Sequence, residues 1–138
     1  MGNKKNQFEI PTKKFGTIIN CMDGRTQLPA IKWMKKTYKV DYPVTITEAG
    51  PVKIIADNKN KALIESIKYR VGISVNKHGS KHIALVAHYD CAGNPVVKEK
   101  QLKQLKKAVK QIKKWNLPVD EVVGLWIGKN WKVKKIKI

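Results

Sequence analysis

HIALVAHYDCAGN, residues 82–94, joins an apolar run to a turn that carries an imidazole, a carboxylate and a thiol. A short apolar run bounded by turn residues reads as a buried strand. His88 ends that strand, and Cys91 follows in the turn ahead of Gly93 and Asn94. A second stretch has the same form: the apolar run at 14–20 leads straight into INCMDGR, residues 19–25. Side chains alternate between the two faces of an extended chain, so Cys21, Asp23 and Arg25 point the same way from one strand end.

Working outward, residues 42–47 (YPVTIT) alternate with β-branched residues, and residues 122–127 (VVGLWI) form another buried run, which brings the strand candidates to four. Helical periodicity fills the intervals. Residues 26–38 carry Leu28, Ile31, Met34 and Tyr38, and residues 58–75 carry Leu63, Ile64, Ile67, Val71 and Val75. In the segment KEKQLKQLKKAVKQIKKW, residues 98–115, Leu102, Leu105, Val109 and Ile112 form one stripe and lysines cover the rest. This pattern describes an amphipathic helix lying on a sheet rather than a membrane-surface element. Short strands separated by helical segments predict βαβ units. The fold class is α/β, with a mostly parallel central sheet of about four strands plus an edge strand, flanked by helices.

A chain of 138 residues fits one domain with a true hydrophobic core. Residues 1–14 read as a lysine-rich extension and residues 15–138 as the folded domain. No stretch approaches the roughly 20 apolar residues of a membrane helix, and MGNKKNQFEIPTKK lacks the apolar centre of a signal peptide, so a cytoplasmic protein is expected. In such a reducing compartment Cys21 and Cys91 are thiols or metal ligands rather than a disulfide. The net charge of +19 invites a nucleic-acid reading, but the charge is almost all lysine, Arg25 and Arg70 being the arginines. Base readout and bidentate phosphate contacts favour arginine, and no nucleic-acid motif is present. The lysines therefore read as a solvated surface, with neither a specific nucleic acid nor a membrane as partner.

In parallel sheets ligands gather beyond the carboxyl ends of the strands. If the strands ending in Cys21 and His88 are neighbours, Cys21, His88 and Cys91 converge. Two thiolates and one imidazole suit Zn2+, and three protein ligands leave one coordination position open. His78 and His82 precede or begin the strand and read as surface residues. Asp90 and Asn94 read as caps of the turn or of the following helix.

Cys-x-Asp-x-Arg at 21, 23 and 25, followed by His-x-x-Cys at 88 and 91, resembles the β-class carbonic anhydrases. ITEAGPV at 46–52 resembles the family's Ala-Gly segment after its second strand, residues 66–93 resemble its helix, strand and metal turn, and residues 122–136 resemble its last strands. The resemblance implies zinc on Cys21, His88 and Cys91, with the fourth position taken by water or hydroxide, or by Asp23 in the family's closed form. It implies a catalytic pair, Asp23 and Arg25, in which the guanidinium orients the carboxylate toward a zinc-bound hydroxide. The implied reaction is reversible hydration of carbon dioxide to bicarbonate by a homodimer or higher homo-oligomer. A carbonyl sulfide or carbon disulfide hydrolase, or a non-catalytic zinc domain of the same fold, would share the metal site.

The chain departs from the family at several points. The segment before residue 15 is too short for the family's partner-wrapping helical arm. Ala92 replaces a common glycine beside the metal, an expected narrowing of the pocket. Pro51 replaces a frequent Asn, removing a backbone donor. The glutamine and aromatic residues lining the substrate pocket in some members have no clear counterpart.

Overall fold

The structure is a computed structural model and describes residues 13–138. Most of the extension expected at 1–14 thus lies outside the described residues. The chain runs β1 (Phe15–Cys21), a 3-10 turn (Gly24–Thr26), α1 (Gln27–Tyr38), β2 (Tyr42–Glu48), α2 (Pro51–Asp57), α3 (Lys61–Gly72), a π-helical turn (Ile73–Lys77), β3 (His82–His88), α4 (Lys98–Lys113), β4 (Glu121–Ile127) and β5 (Val133–Ile136). The strands form one sheet in the order β2-β1-β3-β4-β5. β1 to β4 are parallel, and β5 returns antiparallel to β4. This is the expected mostly parallel sheet with an added edge strand.

β1 and β3 are central and buried on both faces, which is why their sequences are nearly unbroken apolar runs. Ile18, Ala84 and Val86 face one side with Ala30 and Met34 of α1. Ile19, Ile83 and Leu85 face the other, against Val52 and Ile55 of α2, Ile67 and Val71 of α3, and Leu105 and Val109 of α4. The chain reaches α1 from β1 on one face and α4 from β3 on the opposite face, so β1 and β3 form the switch point of the sheet.

α1 packs through Ile31, Met34 and Tyr38 of the stripe expected of it, but not through Leu28. Leu28 is exposed, and Ala30 and Met34 take the buried positions. Gly16 permits this close approach, since a Cβ there would lie 2.7 Å from the Met34 sulfur. The helix expected over 58–75 divides in two. Asn60 caps α3 by accepting the Leu63 N–H at 3.1 Å, and α2 is a separate helix before it. Beyond α3 the π-helical turn presents the Ser74 hydroxyl to Thr17 at 2.7 Å. Thr17 donates to Ser80 at 2.7 Å, and this buried trio ties the turn to the centre of the sheet.

Met34 is fully buried and is the large anchor of α1 on its face. Met34→Ala should therefore lower unfolding stability by about 2–5 kcal/mol, read as a lower urea midpoint at unchanged slope. A loss under about 0.5 kcal/mol would show that α1 is not held by this contact.

Candidate metal centre

Cys21 is the last residue of β1 and His88 the last of β3, on the neighbouring central strands. Because the segments after β1 and β3 leave toward opposite faces, a crevice opens between their carboxyl ends, and Cys91 enters it from the turn after β3. Their ligand atoms all lie within 4.8 Å of one another, and all three residues are buried. The sulfurs are 3.8 Å apart. The same three residues line a narrow crevice with Gly50, Val52 and Gln101. A larger cavity of about 530 Å³, between Ile112, Glu121 and Ile136, lies at the amino end of β4 and contains none of these groups.

The protonation pattern suits a cation. Nδ1 of His88 lies 2.7 Å from the Tyr89 carbonyl oxygen, which can only accept, so Nδ1 carries the proton and Nε2 the lone pair. That Nε2 is buried without a hydrogen-bond partner. The Cys21 thiol is lowered to about 3, first by the hydrogen bond from Cys91, against the cost of burial, with further help from His88 and the backbone N–H groups of Gly50 and Asp23. Cys91 is pushed up, first because it donates that hydrogen bond and then by burial. Two sulfurs thus share one proton, an arrangement a dication resolves by replacing the proton and holding both as thiolates. Burial pulls the His88 imidazole down, but the neighbouring Cys21 sulfur and the hydrogen bond to the Tyr89 carbonyl outweigh that pull and its pKa is raised. Gln101 completes the surround by donating from Nε2 to the His88 carbonyl at 2.9 Å.

Asp23 and Arg25 form the pair expected of them. Oδ1 accepts the Arg25 backbone N–H at 2.9 Å and Nε at 3.1 Å, and Oδ2 accepts Nη2 at 2.7 Å. The Arg25 guanidinium holds the Asp23 carboxyl down at about 2, against the opposing effect of burial. With both oxygens on Arg25, Asp23 is held by the guanidinium and not by the cysteine and histidine side chains. Two further groups on Arg25 escaped the sequence reading. Asp90 accepts Nη1 on Oδ2 at 3.3 Å and Nη2 on its carbonyl at 3.1 Å, and Trp131 lies under the guanidinium with Cζ 4.5 Å from the ring centroid.

Other expectations need adjustment. Asp90 is in the turn, as expected, but its carboxylate serves Arg25 rather than a cap. Asn94 is buried and donates to Gln104 at 2.7 Å, while Val97 occupies the N-cap of α4 without a side-chain cap. Ala92 is exposed and does not line the crevice, so it does not narrow it. Pro51 occupies the first position of α2, where a backbone N–H has no partner within the helix, and its missing donor costs nothing. His78 is at the surface, stacked on Phe15 at 4.3 Å. His82 is half-buried instead, stacked on Tyr38 at 3.9 Å.

Residues 11–137 match the family described as "Putative carbonic anhydrase", and the chain belongs to that family. Among solved structures, one reported as "Crystal structures of two tetrameric beta-carbonic anhydrases from the filamentous ascomycete Sordaria macrospora" is similar at TM-score 0.53 and 11% identity, over 91% of this chain and 82% of that chain. At that identity the likeness establishes the shared fold. No curated protein sequence matches the chain.

The site is braced by backbone packed on backbone. A Cβ at Gly93 would lie 2.6 Å from the Ala49 carbonyl carbon, and one at Gly50, where φ is 65°, would lie 2.8 Å from the Gly93 oxygen. The end of β2 thereby presses on the turn that carries Cys91. Gly93→Ala must push the two segments apart and should cost about 1–3 kcal/mol of stability. It should also weaken metal retention against a chelator. Wild-type behaviour in both measurements would refute the brace.

Proposed function

We propose that this protein is a zinc-dependent carbonic anhydrase that interconverts carbon dioxide and bicarbonate, with Cys21, His88 and Cys91 holding the metal and Asp23 and Arg25 serving catalysis. The observation that carries the reading is the unpartnered, buried Nε2 of His88 converging with two sulfurs 3.8 Å apart, beside a carboxylate held by arginine. Zinc, when bound, would supply the Lewis acidity that makes water ionise more readily than in bulk.

The chain's own groups supply the rest. The two thiolates and neutral imidazole give a donor set whose charge cancels that of the dication, which tempers its acidity and favours alkaline working conditions. Asp23 is the acceptor. Arg25 contributes three donors to a carboxylate with about four lone-pair sites, and a remaining site can take a hydrogen bond from the attacking oxygen. Arg25 fixes the direction of that acceptor and keeps it ionised, a form of preorganisation in which little has to move as charge shifts. In the hydration direction a water oxygen bonds to the carbon of carbon dioxide, and the proton released passes to solvent.

The protein should carry about one zinc per chain, and Cys91→Ala should abolish its retention. Metal analysis that finds no zinc, or the same content in Cys91→Ala, excludes the ligand set. Arg25→Ala should keep the zinc while losing carbon dioxide hydration by about 100-fold or more, the scale of removing an oriented electrostatic group. Full zinc with no hydration by wild-type protein would instead assign a non-catalytic metal domain.

The pH profile follows from Asp23. A carboxyl held at about 2 is ionised throughout the neutral and alkaline range and loses its charge only as pH falls through that value. Asp23 therefore adds no limb in that range, and activity should rise from neutral to alkaline pH as the attacking water ionises. A fall in activity above neutral pH would contradict this.

We also propose a homo-oligomer as the working form. β2 is an edge strand with Tyr42 half-exposed, whereas β5 at the opposite edge is short and carries lysines. Short, lysine-bearing edges resist pairing, whereas β2 is seven residues long and carries no lysine, although it includes Pro43 and ends in Glu48. The similar solved structure is described as tetrameric, which supports the same reading. Light scattering at micromolar concentration should give a multiple of the 15.7 kDa chain mass, and a monomer mass would reject the proposal.

A further inference from the structure

Left-handed backbone is common for glycine and tolerated by Asn and Asp, but a bulky aromatic residue there is an outlier. Trp131 adopts it, with φ 61°, in the turn that joins β4 to β5. The turn closes through its own backbone, Trp131 N–H donating to the Gly128 carbonyl at 2.8 Å and Gly128 N–H to the Lys132 carbonyl at 3.2 Å. Nothing in that closure uses an indole, and a glycine would adopt the conformation without strain. The use of the ring is elsewhere, because strained residues persist where surrounding contacts over-determine them and gather at functional sites.

The ring rests against the apolar layer that contains Met34 and Ile127, and its remaining contacts are with the metal centre. The Arg25 guanidinium lies over it with Cζ 4.5 Å from the centroid. The ring centroids of His88 and Tyr89 are each 6.4 Å away, the latter edge-on. Asp90, itself left-handed at φ 58°, approaches the guanidinium from another side with its carboxylate and its carbonyl. Arg25 is thus held by Asp23, Asp90 and Trp131, which arrive from β1, from the turn after β3 and from the turn after β4.

The extra contacts are needed because the Arg25 side chain is 47% exposed. An ion pair that open to water contributes little by itself. Asp23 and Arg25 alone would separate often, and a freed Asp23 could turn its carboxylate to the nearby ligand set. We propose that Trp131 and Asp90 are positioning residues that fix Arg25 on Asp23 and so keep the Asp23 carboxylate off the metal position. The inference rests on the catalytic reading of Asp23 and Arg25 given above. Its geometric content is independent of activity.

Arginine labelled with 15N in the full-length protein as purified gives side-chain signals from Arg25 and Arg70, the arginines of the sequence. In Trp131→Ala the Nε–H of Arg25 should exchange with solvent about two- to five-fold faster, the range an exposed cation–π contact supports, while Arg70 stays unchanged. Trp131→Phe should recover most of the protection. Asp90→Asn, at a side chain 68% exposed and so tolerated by the fold, should give a smaller increase. In cobalt-loaded protein, azide binding followed by visible absorption should weaken in Trp131→Ala and return in the Asp23→Asn/Trp131→Ala double variant, because no carboxylate is left to compete. Unchanged Arg25 exchange in both Trp131→Ala and Asp90→Asn overturns the proposal. So does an azide defect that persists in the double variant, since that assigns Trp131 a merely structural part. Failure of the carbonic anhydrase reading has a different signature: zinc-loaded wild type without hydration activity, while Arg25 exchange still responds to residue 131.

Discussion

The pairing of β1 with β3 is the constraint on which the rest of the structure depends. Both strands are central, parallel and covered on both faces, so their register is fixed by apolar side chains that have nowhere else to go. A slip of one residue would turn Ile18 and Ile19 to the wrong layers and move Cys21 away from His88. The core therefore sets the metal geometry directly, through two strand ends that cannot shift independently. Only Cys91 comes from a turn, and that turn is pressed by the backbone at Ala49 and Gly50.

How much of this could be read from the sequence depended on how local the signal was. The strands were legible because β-branched and apolar runs of strand length end in polar turns. The convergence of Cys21, His88 and Cys91 followed from parallel topology once β1 and β3 are neighbours, an adjacency that the strand order supplies. α2 was not legible. It is seven residues long, too short for a clear period, and its opening Pro51 looks like an interruption until it is seen as a first helical residue. The face of α1 was legible in Ile31, Met34 and Tyr38, but not the exposure of Leu28 or the closeness of the contact, which the absence of a side chain at Gly16 allows. Asp90 and Trp131 were invisible as partners of Arg25 because they belong to other loops. Trp131 left one trace, an aromatic residue closing GKNW, where a tight turn ordinarily asks for glycine or asparagine.

The lysine surface imposes its own terms. α4 has Glu99 as its first-turn acid and places lysines along nearly all of its exposed positions, so like charges meet at three- and four-residue spacings. Such pairs are each unfavourable by about 0.2–0.5 kcal/mol. The helix tolerates them because Leu105, Ala108, Val109 and Ile112 are fully buried against the sheet, a contribution several times larger. The resulting positive field concentrates anions near the molecule and weakens as salt rises, with a screening length of about 8–10 Å near physiological ionic strength.

The antiparallel strand β5 has a consequence for the centre that the parallel strands could not supply. After β1 and β3 the chain places Asp23, Arg25 and Cys91 at the carboxyl edge of the sheet and then leaves it for a helix. After β4 the chain instead reverses at Gly128–Trp131 and pairs back along the same strand, Ile127 opposite Val133. A compact turn is thereby left standing at the carboxyl edge, where the metal residues converge. Its last residue is close enough to lay an indole under Arg25. A parallel fifth strand would have needed a crossover and would have opened this side of the site to water. The edge strand that ends the sheet also closes its functional end.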